Sequence, residues 1–202
     1  MDLNDIIKKK DWDILIRNVL PVTIAISFPF EESMHVVGNL LNDSGGEDGD
    51  LALFMRDYAV NLMIILREKF PQNWKKDWKN EAFLGICCSL VYREEKAFKY
   101  LKNALGLFED PPQSLILTYI RVGAAPCYFL STKEIAELAQ RAAKSGITFE
   151  VAQQMADSAT TREGKNYWER KAAEANSIHT PVIVPNILKN VLKPIEDYPY
   201  ES

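Results

Sequence analysis

The stretch Leu51-Ala-Leu-Phe-Met-Arg-Asp-Tyr-Ala-Val-Asn-Leu-Met-Ile-Ile-Leu66 decides the fold class. Wound at helical pitch it is apolar on nearly every side, and Arg56, Asp57 and Asn61 are the main interruptions. A helix of that kind has little face to give to water, so it belongs in the middle of a helical bundle. Asp50 stands where a carboxylate can cap its first turn, and Pro71 closes the far end.

Toward the N-terminus, Phe30, Met34, Val37 and Leu41 recur at steps of four, three and four, which is one face of a helix. Pro29 suits its first turn, and Glu31 and Glu32 sit where the helix dipole favours acids. This helix is expected to end near Asn42, before the loop Asp43-Ser-Gly-Gly-Glu-Asp-Gly-Asp50. Residues 11–28 carry conflicting signals. Val19, Val22, Thr23, Ile24 and Ile26 favour strand, but a lone strand would have no partner, so helix is the expectation.

Toward the C-terminus, residues 73–108 hold no proline, and Ala97, Leu101, Ala104 and Phe108 share a face opposite Glu95 and Lys99. One long helix and a hairpin turning near Arg93 both fit. Capping boxes at Ser131-x-x-Glu134 and Thr160-x-x-Glu163 start two further helices. Ile135, Leu138, Ala139 and Ala142 form the stripe of the first, and Gly146 is its natural stop. Gly164, Trp168, Ala172 and Ala175 share a face of the second. After Asn176, four prolines leave room for an extended piece and one short helix over 186–193.

The expected fold is therefore all-α: a single domain of stacked helical hairpins over 1–176, as a bundle or short solenoid, followed by a proline-rich segment over 177–202. Within 78–110, Leu84-Gly85, Ala97, Leu101 and Ala104 fall at the small-and-large packing offsets of a tetratricopeptide unit, and the segment resembles that family. The closing proline comes late, at Pro111, and no second copy follows at the family's period. The resemblance covers about a sixth of the chain, implies stacked hairpins and assigns no functional residue.

The 202 residues are 47% hydrophobic and 26% charged, as in ordinary globular proteins. A net charge of -4 argues against a coat for nucleic acid or an anionic membrane. The acidity is uneven: residues 1–70 hold 7 basic and 12 acidic side chains, 71–130 hold 8 and 6, and the remainder hold 9 and 10. Cys87, Cys88 and Cys127 form neither a paired framework nor a C-x-x-C motif, so they read as core residues in a reducing compartment. The most apolar run, 19–30, falls short of the ~20 residues of a spanning helix. It follows Asp2, Asp5, Asp11 and Asp13 rather than a basic start, so a cytoplasmic location is expected.

Chemistry-bearing motifs are sparse. Glu32-Ser-Met-His35 has the helical spacing of a dimetal ligand pair, but such sites need a second copy and two more glutamates. His179, the other histidine, follows Asn176 at that spacing. There is no G-x-S-x-G elbow and no glycine-rich phosphate cradle. No catalytic residue, metal or cofactor is expected. Ala142, Gly146, Ile147 and Met155 are spaced as in a helix-turn-helix, yet the second helix carries Glu150 and Asp157 and no Lys or Arg beside Gln153 and Gln154. Trp74 and Trp78, beside Lys75, Lys76 and Lys79, read as core anchors on a solvated basic face.

The expected function is non-catalytic protein binding, as an adaptor, an inhibitor or a toxin-neutralising immunity-type protein. An enzyme with a dispersed site is the alternative, and a helix-turn-helix regulator the third reading. The candidate docking surface is the acidic loop with Asp43, Glu47, Asp48 and Asp50, which would steer a basic partner.

Overall fold

A computed structural model describes residues 2–47, 49–124 and 126–192. Among them lie twelve α-helices, one 3-10 helix and no strand, so the fold is all-α. None of the helices among the described residues is long and apolar enough to cross a membrane. The described residues form two compact units: residues 2–80 together with 184–192, and residues 81–183.

The first unit contains α1 (Leu3–Lys9), α2 (Trp12–Asn18), α3 (Pro21–Ser27), α4 (Phe30–Ser44), α5 (Asp50–Lys69) and α6 (Pro71–Lys75). The largely apolar helix α5 is central, as its sequence demands, with α2, α3, α4 and α6 packed on it. Met55, Leu62, Met63 and Leu66 are fully buried along it. The β-branched run of 22–26 is helical because burial of Ile24 and Ala25 outweighs a small propensity difference. Pro21 opens α3 at its first position, where a missing N–H costs nothing.

Helix α4 buries Phe30, Met34, Val37 and Leu40, and Leu41 is only half-buried. It continues past Asn42 to Ser44, which makes Asp43 helical. Gly49, at φ 66°, takes the N-cap position of α5 in place of Asp50, which is already the first helical residue. Trp74 is buried edge-on to Phe30 at 6.4 Å, so it anchors α6 to the core. The 3-10 helix Asn186–Leu188 also belongs here. Asn42 Nδ2 donates to the Val191 carbonyl at 2.6 Å, and a Cβ on Gly38 would lie 2.7 Å from Val191 Cγ1. Glycine at 38 thus permits the close approach.

The second unit holds most of α7 (Lys79–Ser89), then α8 (Glu94–Leu105), α9 (Gln113–Gly123), α10 (Thr132–Ala143), α11 (Phe149–Asp157) and α12 (Arg162–Glu174). A turn at 90–93 resolves the open question of a hairpin near Arg93. Successive helices from α8 to α12 pack as neighbours around Ile116, Ile120, Ala139, Ala142 and Val151. The Ser131 box forms in full: the Ser131 hydroxyl and N–H donate to Glu134, whose N–H returns to Ser131 Oγ. The second cap lies one residue later than the Thr160 box. Thr161 is extended and its Oγ1 accepts the Gly164 N–H at 3.1 Å.

Candidate functional site

Helix α1 ends at Lys10 in the left-handed conformation, φ 58°. The Lys10 N–H donates to the Ile7 carbonyl at 3.1 Å and the Asp11 N–H to the Ile6 carbonyl at 3.0 Å. These paired bonds satisfy carbonyls that the helix end would leave open, and they turn the chain sharply. Lys10 and Trp12 are thereby brought to Asp43 in the last turn of α4. Trp12 Nε1 donates to Asp43 Oδ2 at 2.8 Å, and Lys10 Nζ lies 3.0 Å from the same oxygen. Trp12 is buried, and the Asp43 side chain is only 24% exposed.

Beside this clasp is a cleft of about 370 Å³. Its apolar lining is Ile14, Leu51 and Met55 with the Trp12 ring, and its charged lining is Lys10, Asp11, Asp13 and Glu47. Lys10 is engaged by Asp43, and Asp13 accepts from Arg17 Nε at 2.7 Å. Asp11 and Glu47 have no side-chain partner among the described residues, so they carry the uncompensated negative charge of the cleft.

The four acids expected to form the docking loop thus separate. Asp43 is built into the fold, Glu47 lines the cleft, and Asp50 is exposed at the start of α5. Asp48 lies outside the described residues. Sequence reasoning missed Lys10, Trp12 and the apolar wall. The signal available was the run Lys10-Asp-Trp-Asp13, in which an amphipathic ring sits between two acids.

A second carboxylate clasp lies in the second unit. Glu150, in the first turn of α11, accepts the Thr180 N–H at 2.8 Å and lies 2.8 Å from His179 Nδ1. Burial pushes its carboxyl up, but the hydrogen bonds from Thr180 and His179 outweigh it and hold the group below the usual carboxylate range. The Thr148 and Thr180 hydroxyls engage each other at 2.6 Å, and Phe149 stands edge-on to the His179 ring at 5.8 Å. The arrangement pins 178–180 to α11.

The second unit also exposes aromatic surface. Tyr92 (φ 57°) and Tyr128 (φ 53°) are left-handed yet 76% and 77% exposed. Positive φ is uncommon for such bulky residues. Tyr92 closes α7 by the same bond pattern that Lys10 uses on α1, with the Arg93 N–H on the Cys88 carbonyl at 3.0 Å. A cleft of about 700 Å³ lies among Tyr92, the first turn of α8, Cys127 and Phe129. Phe129 stacks on Phe98 at 4.9 Å, and Phe98 on Tyr119 at 4.7 Å.

Elsewhere, Glu32 and His35 are exposed on the solvent side of α4. No cluster of three or more His, Cys, Asp or Glu side chains suited to a metal ion is found among the described residues. Cys87 and Cys88 are buried, and burial, with Cys88 beside it, pushes the Cys87 thiol up. No protein-family model, curated protein or solved structure matches the chain.

Proposed function

We propose that the protein is a non-catalytic binding module that docks a basic protein partner on its first unit, at the cleft between the start of α2, Glu47 and the start of α5. The observation that carries this is the union of two unpartnered carboxylates, Asp11 and Glu47, with the apolar lining of Ile14, Leu51 and Met55. Charge alone would give steering without a seat, and an apolar cleft alone would give no preference for a cation. Charge distribution supports the same surface. Residues 1–80 hold 10 Lys and Arg against 13 Asp and Glu, whereas residues 81–183 hold 12 of each. The roles that fit are adaptor, inhibitor and toxin-neutralising immunity-type protein, and a reducing cytoplasm suits its unpaired cysteines.

The test is the association rate with the partner recovered stoichiometrically from the native host. The triple variant D11N/E47Q/D50N is expected to associate roughly ten-fold more slowly at low salt and to approach the wild-type rate at high salt. An unchanged rate at low salt would move the docking surface elsewhere. Asp43 is left intact, because its replacement would test folding instead.

A further inference from the structure

We infer that the cleft beside Trp12 is a socket for one arginine side chain of the partner. The inference rests on the docking proposal and names what enters the site. At about 370 Å³ the cleft is at the small end of ligand pockets, room for a side chain rather than for a helix. Its two uncompensated acceptors come from separate places in the chain, Asp11 before α2 and Glu47 after α4. A guanidinium offers five N–H donors in one rigid plane and can serve two separated carboxylates at once. An ammonium, compact and strongly hydrated, gives up more hydration for fewer fixed bonds.

The remaining lining suits the rest of an arginine. Ile14 and Leu51, both half-buried, can cover the methylene stem. The cation already in the lining does not satisfy this demand. Lys10 is held at φ 58° by the end of α1, and its Nζ is 3.0 Å from Asp43. Arg17, the nearest basic residue in α2, is bonded to Asp13 at 2.7 Å. The charge that the fold leaves open is therefore that of Asp11 and Glu47, and an incoming cation meets no resident competitor for it.

The probe is an acetylated Ala-Ala-Arg-Ala-Ala amide, titrated against the full-length protein with the Trp12 indole N–H resonance as reporter. That N–H belongs to a residue that lines the cleft and is bonded to Asp43 beside it, so its frequency responds to an occupant. The arginine peptide is expected to shift it saturably. Its citrulline counterpart, equal in shape but uncharged, should bind about ten-fold more weakly, and the lysine counterpart should fall between. D11N/E47Q should weaken arginine binding by about ten-fold while leaving the indole resonance of the free protein in place, which shows that the clasp is intact. Equal affinity for the citrulline or lysine peptide overturns the inference, as does no saturable shift at peptide concentrations on the order of 10 mM. If the peptide fails while the triple variant still slows the native partner, the docking surface stands and the socket falls. If the triple variant leaves the partner's rate unchanged but the peptide binds, the socket stands alone.

Discussion

Asp43 in the first unit and Glu150 in the second hold distant chain segments by the same means, a carboxylate accepting from two donors about thirty residues away. Their side chains are almost equally exposed, 24% and 26%. The donors differ. Asp43 holds the indole N–H of buried Trp12, whereas Glu150 holds a backbone N–H and the ring of His179, which is 59% exposed. A buried donor that loses its acceptor stays dry and unsatisfied, while an exposed one finds water. Equal exposure of two acceptors thus does not imply equal weight. The burial of the donor decides.

The largest effect expected from that contrast is Asp43→Ala. It strands the Trp12 N–H and should cost about 1–3 kcal/mol in urea unfolding. Asp43→Asn keeps one acceptor oxygen and should cost less. Glu150→Ala should cost less, about 1 kcal/mol, because the exposed His179 ring can be rehydrated and Thr180 is only half-buried. Equal losses at the two sites would break the comparison.

Acid offers a sharper separation. The Glu150 carboxyl lies below its ordinary value of 4.5 in the folded protein. Its contribution is therefore fully present above that value and is lost as pH falls through the folded one. The stability difference between wild type and Glu150→Gln should shrink as pH falls below about 4.5. Glu134, held low by the Ser131 hydroxyl and N–H, changes in the same window, so the comparison is cleanest in a Glu134→Gln background. A difference that stays constant with pH would mean that the Glu150 charge contributes nothing.

The smallest effects concern the two left-handed helix ends with one bond pattern, Lys10 and Tyr92. Glycine relieves a conformational cost of roughly 1–2 kcal/mol but raises the entropy of the unfolded chain by roughly 0.4–1 kcal/mol. Tyr92→Gly should then stabilise by about 0.5 kcal/mol, with no side-chain bond lost in compensation. Lys10→Gly also gives up the ion pair with Asp43, so its net change should be close to zero. Thermal unfolding of the pair, read as a difference, checks this.

Much of the helical architecture was legible because its signals are local. The 51–66 stretch announces a central helix through its own composition, and Ser131-x-x-Glu134 announces a helix start through four residues. Where two local signals competed, the sequence was a weaker guide. It pointed to Thr160 as the cap, and the extended backbone at 161 makes Thr161 the cap instead. The β-branched residues of 22–26 spoke for strand until burial of Ile24 and Ala25 against the core made helix the better state.

The candidate site was legible only as charge. The sequence by itself determined an excess of carboxylates in the first third of the chain, since net charge needs no geometry. Tertiary structure decided which of them are committed. A lysine in a left-handed turn carries no local signature, yet the turn at Lys10 brings Trp12 to Asp43 and turns one expected docking acid into part of the fold. Asp11 and Glu47, more than thirty positions apart, come to line one cleft with Leu51 of α5. Helical periodicity is written within a few residues and survives reading one stretch at a time. The pairing of a donor with its acceptor depends on where separate helices come to rest, and burial, which sets the strength of that pairing, exists only once they have packed.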